Sequence, residues 1–345
     1  MSSKSKLACF ALCLCLNPVL ASAADPVHWP ARVFAPYMYL GMGDDFKLTD
    51  CDDACGLKHY TLAFIIARQE GRGTNASYRR EPAWDGRTSM DQNLYLDQIE
   101  AIRKRAGDVI ASFGGEGGRE LAIVEEDPAV LQSEYQSIID RYHFSWLDFD
   151  IEGSNLDKHA DASRRRNIAL AALQSKNPVL RISYTLPVDP NGLSEASQAL
   201  LVDAKAKGVK VHSANLMVMF FGKRFINKGK SEGELGIESA KKAYERLQKI
   251  DPAICVGLCP CLGRNGSSAE VFTLDDAKIL KEFADQTPWV CSLHFWSIND
   301  DSAKPRKRRS SNGSTNTVNA PENPRIPWKF TAIFKSFTTA APITK

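Results

Sequence analysis

Apolar residues in this chain gather into eight short runs, at 33–39, 60–66, 109–113, 144–151, 180–186, 213–221, 254–259 and 289–296, each rich in β-branched and aromatic side chains. Runs of this length that are apolar throughout, rather than at every second position, read as strands buried on both faces. Between them the apolar spacing changes to three and four residues, at 94–102, 129–142, 168–173, 196–204, 237–250 and 277–284, which predicts helices. Strand then helix, repeated, gives parallel strands, and eight of them predict a closed (β/α)8 TIM barrel in a single domain. No GxGxxG follows the first strand, which argues against an open dinucleotide-binding sheet.

The longer stretches 69–91, 222–233 and 297–323 follow the second, sixth and eighth strands and read as loops. In such a barrel they lie at the C-terminal ends of the strands, the face that carries the site. A last helix at 326–337 closes the chain, with Pro327 in its first turn, where no N–H is needed.

Composition narrows the partners. The 345 residues are 43% hydrophobic and 25% charged, ordinary for a globular chain, and barrels of about 250 residues or more routinely form one domain. A formal charge of +3 gives no field to attract a polyanion, so nucleic acid is not expected as a partner. The one basic cluster, 305–309, is followed by Ser310, Ser311 and Asn312 and reads as a solvated loop.

At the N-terminus Lys4 and Lys6 precede an apolar run at 7–20 that ends in Ala21, Ser22 and Ala23. The run is short for a bilayer and meets a small-x-small site, so 1–23 reads as a secretory signal peptide and 24–345 as the barrel. The expected mature protein is secreted, or periplasmic in a bacterium, without a membrane span, and monomeric. Of nine cysteines, Cys9, Cys13 and Cys15 leave with the signal, and an even six in an exported chain favour disulfides. Cys51 and Cys55 are expected to pair; the pairing of Cys255, Cys259, Cys261 and Cys291 stays open. A zinc reading of Cys259-Pro260-Cys261 fails on spacing, since one residue separates the thiols, so neither metal nor cofactor is expected. Asn75, Asn265 and Asn312 head glycosylation sequons, relevant in a eukaryotic source.

The sharpest chemical signal ends the fourth strand: Trp146-Leu147-Asp148-Phe149-Asp150-Ile151-Glu152-Gly153. Side chains alternate along a strand, so Asp148, Asp150 and Glu152 share one side while Leu147, Phe149 and Ile151 share the other. Three carboxylates stacked inside a barrel cannot all ionise at neutral pH, so at least one takes up a proton. That is how a carboxylic acid is kept ready to protonate a leaving group.

This run resembles the end of the DxxDxDxE signature of glycoside hydrolase family 18, the chitinases and their relatives. Ser112-Phe113-Gly114-Gly115 resembles the family's SxGG motif, and Leu62-Ala63-Phe64, Tyr184-Thr185-Leu186-Pro187 and Trp296 extend the likeness over nearly the whole mature chain. The resemblance implies hydrolysis of β-1,4-linked N-acetylglucosamine polymers, chitin or chitooligosaccharides, by a retaining, substrate-assisted route. Glu152 would then protonate the glycosidic oxygen, Asp150 would steady the acetamido group that attacks the anomeric carbon, and Asp148 would tune Asp150. Trp296 would form the apolar floor, and Tyr184, Gly115, Met217, Met219, Phe220, Phe221 and Tyr37 would complete the substrate contacts.

The departures from the pattern carry their own expectations. The first signature aspartate falls at Ser145, whose hydroxyl is expected to donate to Asp148. On the sixth strand Phe220 and Phe221 stand where relatives usually carry aspartate and tyrosine, and a phenyl ring neither donates nor accepts the hydrogen bonds that position a sugar. After the eighth strand Asn299-Asp300-Asp301 alters the expected rim. These departures define the alternative function, a chitinase-like protein that binds chitin oligomers with little or no turnover.

Overall fold

Pro36 divides the first strand into Val33–Phe34 and Tyr37–Tyr39, since proline cannot donate to a ladder. In this computed structural model the two pieces serve two neighbours: the first pairs in parallel with the eighth strand, Val290–Leu293, and the second with the second strand, His59–Glu70. The other strands lie between in chain order, all parallel: Asp108–Gly114, Trp146–Asp150, Arg181–Asp189, Val211–Met217 and Cys255–Cys259. The ring is therefore closed, the (β/α)8 barrel that the eight apolar runs predict. The structure describes residues 29–41, 47–71, 76–226, 229–266, 269–302 and 327–338, with two short strands at 308–309 and 315–316. The signal segment and the sequons at Asn75 and Asn312 lie outside the described residues.

Each predicted helix is present: Leu96–Lys104, Pro128–Tyr142, Ala160–Lys176, Glu195–Ala206, Glu232–Ile250, Leu274–Gln286 and, closing the chain, Lys329–Phe334. Two start on reciprocal caps, Ser231 with Glu234 and Thr273 with Asp276, which satisfy N–H groups that a helix start otherwise leaves open. The expected loop at 69–91 is instead mainly a hairpin. The second strand runs on to Glu70 and Ser77–Trp84 returns antiparallel to it. Likewise, Arg308–Arg309 pairs with Thr315–Asn316 inside the expected basic loop.

Strand alternation sorts the core into two regions. Phe113, Phe149 and Tyr135 pack outside the barrel, with Phe113 stacked on Phe149 at 5.1 Å. There the buried Arg166 guanidinium pairs with Glu120 at 2.8 Å, and Tyr135 donates to the same carboxylate. Inside, an apolar plug of Trp29, Val33, Ala35, Ile110 and Trp146 fills the N-terminal end of the barrel. The layer above it is polar: Thr61, Ser112, Asp148, Ser183, Thr185, Ser213, Asn215, Ser292 and His294 are all fully buried.

The cysteines correct one expectation. The disulfide joins Cys255 to Cys291, while Cys51 and Cys55 are free thiols. Both of the latter sit on the helix Leu48–Cys55, where the Cys55 thiol turns back to donate to the Cys51 carbonyl at 2.9 Å rather than meeting its sulfur. The Asn265 sequon is also unsuited to carry a glycan, because its amide is buried and donates to Glu232 at 2.9 Å.

Candidate active site

The fourth strand delivers Asp148 and Asp150 to the barrel interior, and Glu152 follows just beyond its last residue. Asp148 is fully buried and saturated with donors. Oδ2 accepts from Tyr37 and Ser112, both at 2.8 Å, and Oδ1 accepts from Ser183 at 2.7 Å, Thr185 at 2.9 Å and Asn215 at 3.1 Å. Burial raises its proton affinity and the donors pull it back, the net effect being upward.

Asp150 has no such support. It is buried, its Oδ1 has no hydrogen-bond partner among the described residues, and burial lifts its proton affinity well above the carboxylate range. The charges of Glu152 and Asp148 lift it further. Glu152 is pushed up to about 7, by burial first and by the neighbouring Glu116 charge second. Asp150 and Glu152 hydrogen-bond to each other, which two carboxyl groups can do only when one carries a proton. The site therefore holds a proton near neutral pH and can hand it to an oxygen above it.

Two glycines bring backbone close to this pair. Gly114 lies at φ 102° and Gly115 at φ 81°, and the Gly115 N–H donates to the Asp150 carbonyl at 2.9 Å. A Cβ at Gly114 would meet that carbonyl oxygen at 2.2 Å, and one at Gly115 would meet the Phe64 ring at 2.6 Å. The apolar floor is aromatic. Trp296 stacks on Phe64 at 5.5 Å with an interplanar angle of 14°, flanked by Tyr37 at 5.9 Å and Tyr39 at 5.7 Å. Met217, Met219, Cys259 and Cys261 pack against the same group. The arrangement suits a ligand with a flat apolar face and an oxygen to be protonated.

Of the expected contacts, Trp296, Met217, Met219, Gly115 and Tyr37 are brought to this site, Tyr184 and Phe221 are not, and Phe220 stands exposed beyond the end of the sixth strand. Tyr184 points outward, because its register partner on the fourth strand is Phe149 and not a carboxylate, and its hydroxyl bonds Asn167 on a helix. Tyr37 is buried beneath the floor with its hydroxyl on Asp148 and Thr185. Phe221 packs into the main core. Phe220 is 53% exposed beyond the sixth strand, its N–H held by Asn265. Ser145 does not reach Asp148, since it lies three residues away on the other side of the strand and its hydroxyl faces Asp108 at 3.4 Å. Asn299 and Asp301 serve structure rather than a rim: Asn299 bonds the Tyr39 backbone, and Asp301 accepts from Thr331 and Phe330 in the closing helix.

Sequence reasoning missed Ser183, Thr185 and Asn215. Their signal was there, as polar residues at every second position of otherwise apolar strands. Phe64, Tyr39 and Cys259 carried no comparable signal.

A closed barrel with a proton-sharing carboxyl pair at the C-terminal end of a strand, above an aromatic floor, has the architecture of a sugar-processing (β/α)8 protein. No family model matches the chain. It is 30% identical over 295 residues to the probable bifunctional chitinase/lysozyme of Escherichia coli and to endochitinase 11 of Metarhizium anisopliae, covering 79% of this chain in both. The matched region spans 31% and 53% of those proteins. Among solved structures it is similar to the catalytic domain of the hyperthermophilic chitinase from Pyrococcus furiosus, at 30% identity and a TM-score of 0.71, covering 92% of this chain and 98% of that one. Catalytic-site mutants of that enzyme's active domain 2, complexed with chito-oligosaccharides, match at 30% identity and a TM-score of 0.70, over 90% of this chain and 95% of that one. The chain belongs to the glycoside hydrolase family 18 chitinases.

Proposed function

We propose that the protein hydrolyses β-1,4 bonds between N-acetylglucosamine units of chitin or chitooligosaccharides, with retention of configuration. The observation that carries this reading is the buried carboxyl pair of Asp150 and Glu152 at the end of the fourth strand, beside the Trp296 floor. A sugar lying on that floor presents its glycosidic oxygen to Glu152, which donates the proton. The substrate's acetamido oxygen closes on the anomeric carbon from the opposite face, and Asp150, left negative when the shared proton passes to Glu152, accepts from the acetamido N–H and offsets the developing positive charge. Asp148, fixed by its five donors, tunes Asp150 by placing a charge that raises its proton affinity.

Glu152→Gln tests the assignment, because the amide keeps the shape and loses the transferable proton. Cleavage of a chitin oligomer should fall on the order of a hundredfold to ten-thousandfold while affinity is retained. A variant that cleaves as fast as the parent removes Glu152 as the acid.

A second reading, a chitin-binding protein of little turnover, is favoured by Phe220, an apolar ring at the solvent end of the sixth strand where a polar group would orient the sugar. Release of reducing ends, set against retention on chitin beads, separates the two. An exported location fits both readings: the Lys4–Lys6 and apolar signature is secretory, and a disulfide such as Cys255–Cys291 persists in oxidising compartments.

A further inference from the structure

The opposite end of the barrel from Glu152 holds a second cluster of chemically versatile side chains. Cys255 opens the seventh strand, and Ser213 is its register partner on the sixth. The sixth strand slips register between Val211 and Ser213, and the eighth pairs Val290 with Val256 but Ser292 with Gly257. His212 and Cys291 are thus the extra residues of two bulges, one on each side of Cys255. A bulge re-aims a side chain that regular alternation would send elsewhere. Here two bulges gather three side chains: one ligand-type atom from each of His212, Cys255 and Cys291 lies within 4.8 Å of the other two. The His212 ring is fixed edge-on against Trp146 at 4.9 Å.

We propose that this cluster is a two-state staple: a disulfide when oxidised and, once a dithiol has reduced it, a Cys2His site for a thiophilic divalent cation of the zinc class. The disulfide takes two electrons and two protons from the dithiol, which leaves as its own disulfide; the cation then displaces two protons from the Cys255 and Cys291 thiols. In tetrahedral zinc–thiolate geometry two sulfurs sit about 3.8 Å apart, a separation the present span accommodates. Two thiolates and one imidazole make a soft set that favours zinc over calcium or magnesium, which need oxygen ligands. A neutral His212 imidazole has a ring-nitrogen lone pair to give the cation. The neighbouring Arg181 charge opposes an uncompensated cation, and two thiolates neutralise that cation.

Cobalt(II) serves as the probe, because thiolate ligation gives it charge-transfer bands that aqueous cobalt lacks. Cys51, Cys55, Cys259 and Cys261 take no part in the Cys255–Cys291 disulfide, so the difference in binding between its two states isolates the staple. Phosphine-reduced protein, freed of reductant without air, should bind one equivalent of cobalt more than the oxidised protein does. Zinc should displace it and raise the melting temperature of the reduced form. Cys291→Ser should lose the extra equivalent, and His212→Ala, which keeps the disulfide when oxidised and so tests the site even if the serine variant misfolds, should bind it at least tenfold more weakly. Equal binding in the two redox states, unchanged affinity in His212→Ala, or unfolding of the parent on reduction would each overturn the proposal.

Discussion

Glu152 owes its proton affinity to two separable causes, burial and the charge of Glu116. Glu116→Gln removes the second, so the acid's affinity falls and the alkaline limb of the kcat/KM profile should move to lower pH, with kcat at acidic pH nearly unchanged. A limb that stays in place would mean that burial alone sets the value. Phe220 offers a different test. It sits at φ 54°, a left-handed conformation that a bulky aromatic rarely adopts and that aspartate tolerates well. Because the side chain is half exposed, Phe220→Asp should leave the melting temperature unchanged or raise it, and a carboxylate there should raise kcat more than it changes KM. A folded variant with lower kcat would show that this position does not limit turnover. The carboxylate triad was legible from the sequence because alternation puts 148, 150 and 152 on one side. The same rule, applied to the neighbouring strand, selects Ser183 and Thr185 over Tyr184, since Asp148 pairs with Ser183. The register that decides this is set across strands, and a single run does not reveal it.

At the level of elements, the periodicities located all eight barrel strands and the helices that follow from 94–102 onward, because each strand is buried on both faces and each helix on one, but not the helix Leu48–Cys55, which buries only Leu48 and Cys51. The hairpin at Ser77–Trp84 was not legible: its strand is exposed, with Arg79 paired to Glu70 at 2.6 Å, so it lacks the apolar run that marks the others. Cysteine pairing failed for a related reason, since closeness in sequence says nothing of which strands meet. The layer between barrel and helices carries a buried charge that sequence could not pair either. Arg166 and Glu120 are fully buried, and Arg166→Met would strand the carboxylate with only Tyr135 and the Ala122 N–H as donors. The loss should be about 3–5 kcal/mol in urea unfolding, and pairing it with Glu120→Gln should recover much of it. If the double variant is no better than the single one, the charge left behind is not the cause.

For the whole molecule, the proton held for catalysis is also a term in stability. A carboxyl whose affinity is raised by folding, as Glu152 is from 4.5 to about 7, favours the folded state while both states are protonated. That advantage is full below about pH 4.5, where the unfolded chain also keeps the proton, and is lost as pH rises through about 7, where the folded chain must hold a buried negative charge. The shift corresponds to a linkage on the order of 3–4 kcal/mol, shared with the Asp150 partner. Glu152→Gln removes the dependence. Measured against the parent, the variant should gain stability steadily between about pH 4.5 and 7 and hold that gain above it, while losing activity at every pH. This is the signature of a site that trades stability for function, and a stability difference that stays flat from pH 4 to 8 would show that the barrel end bears no such strain.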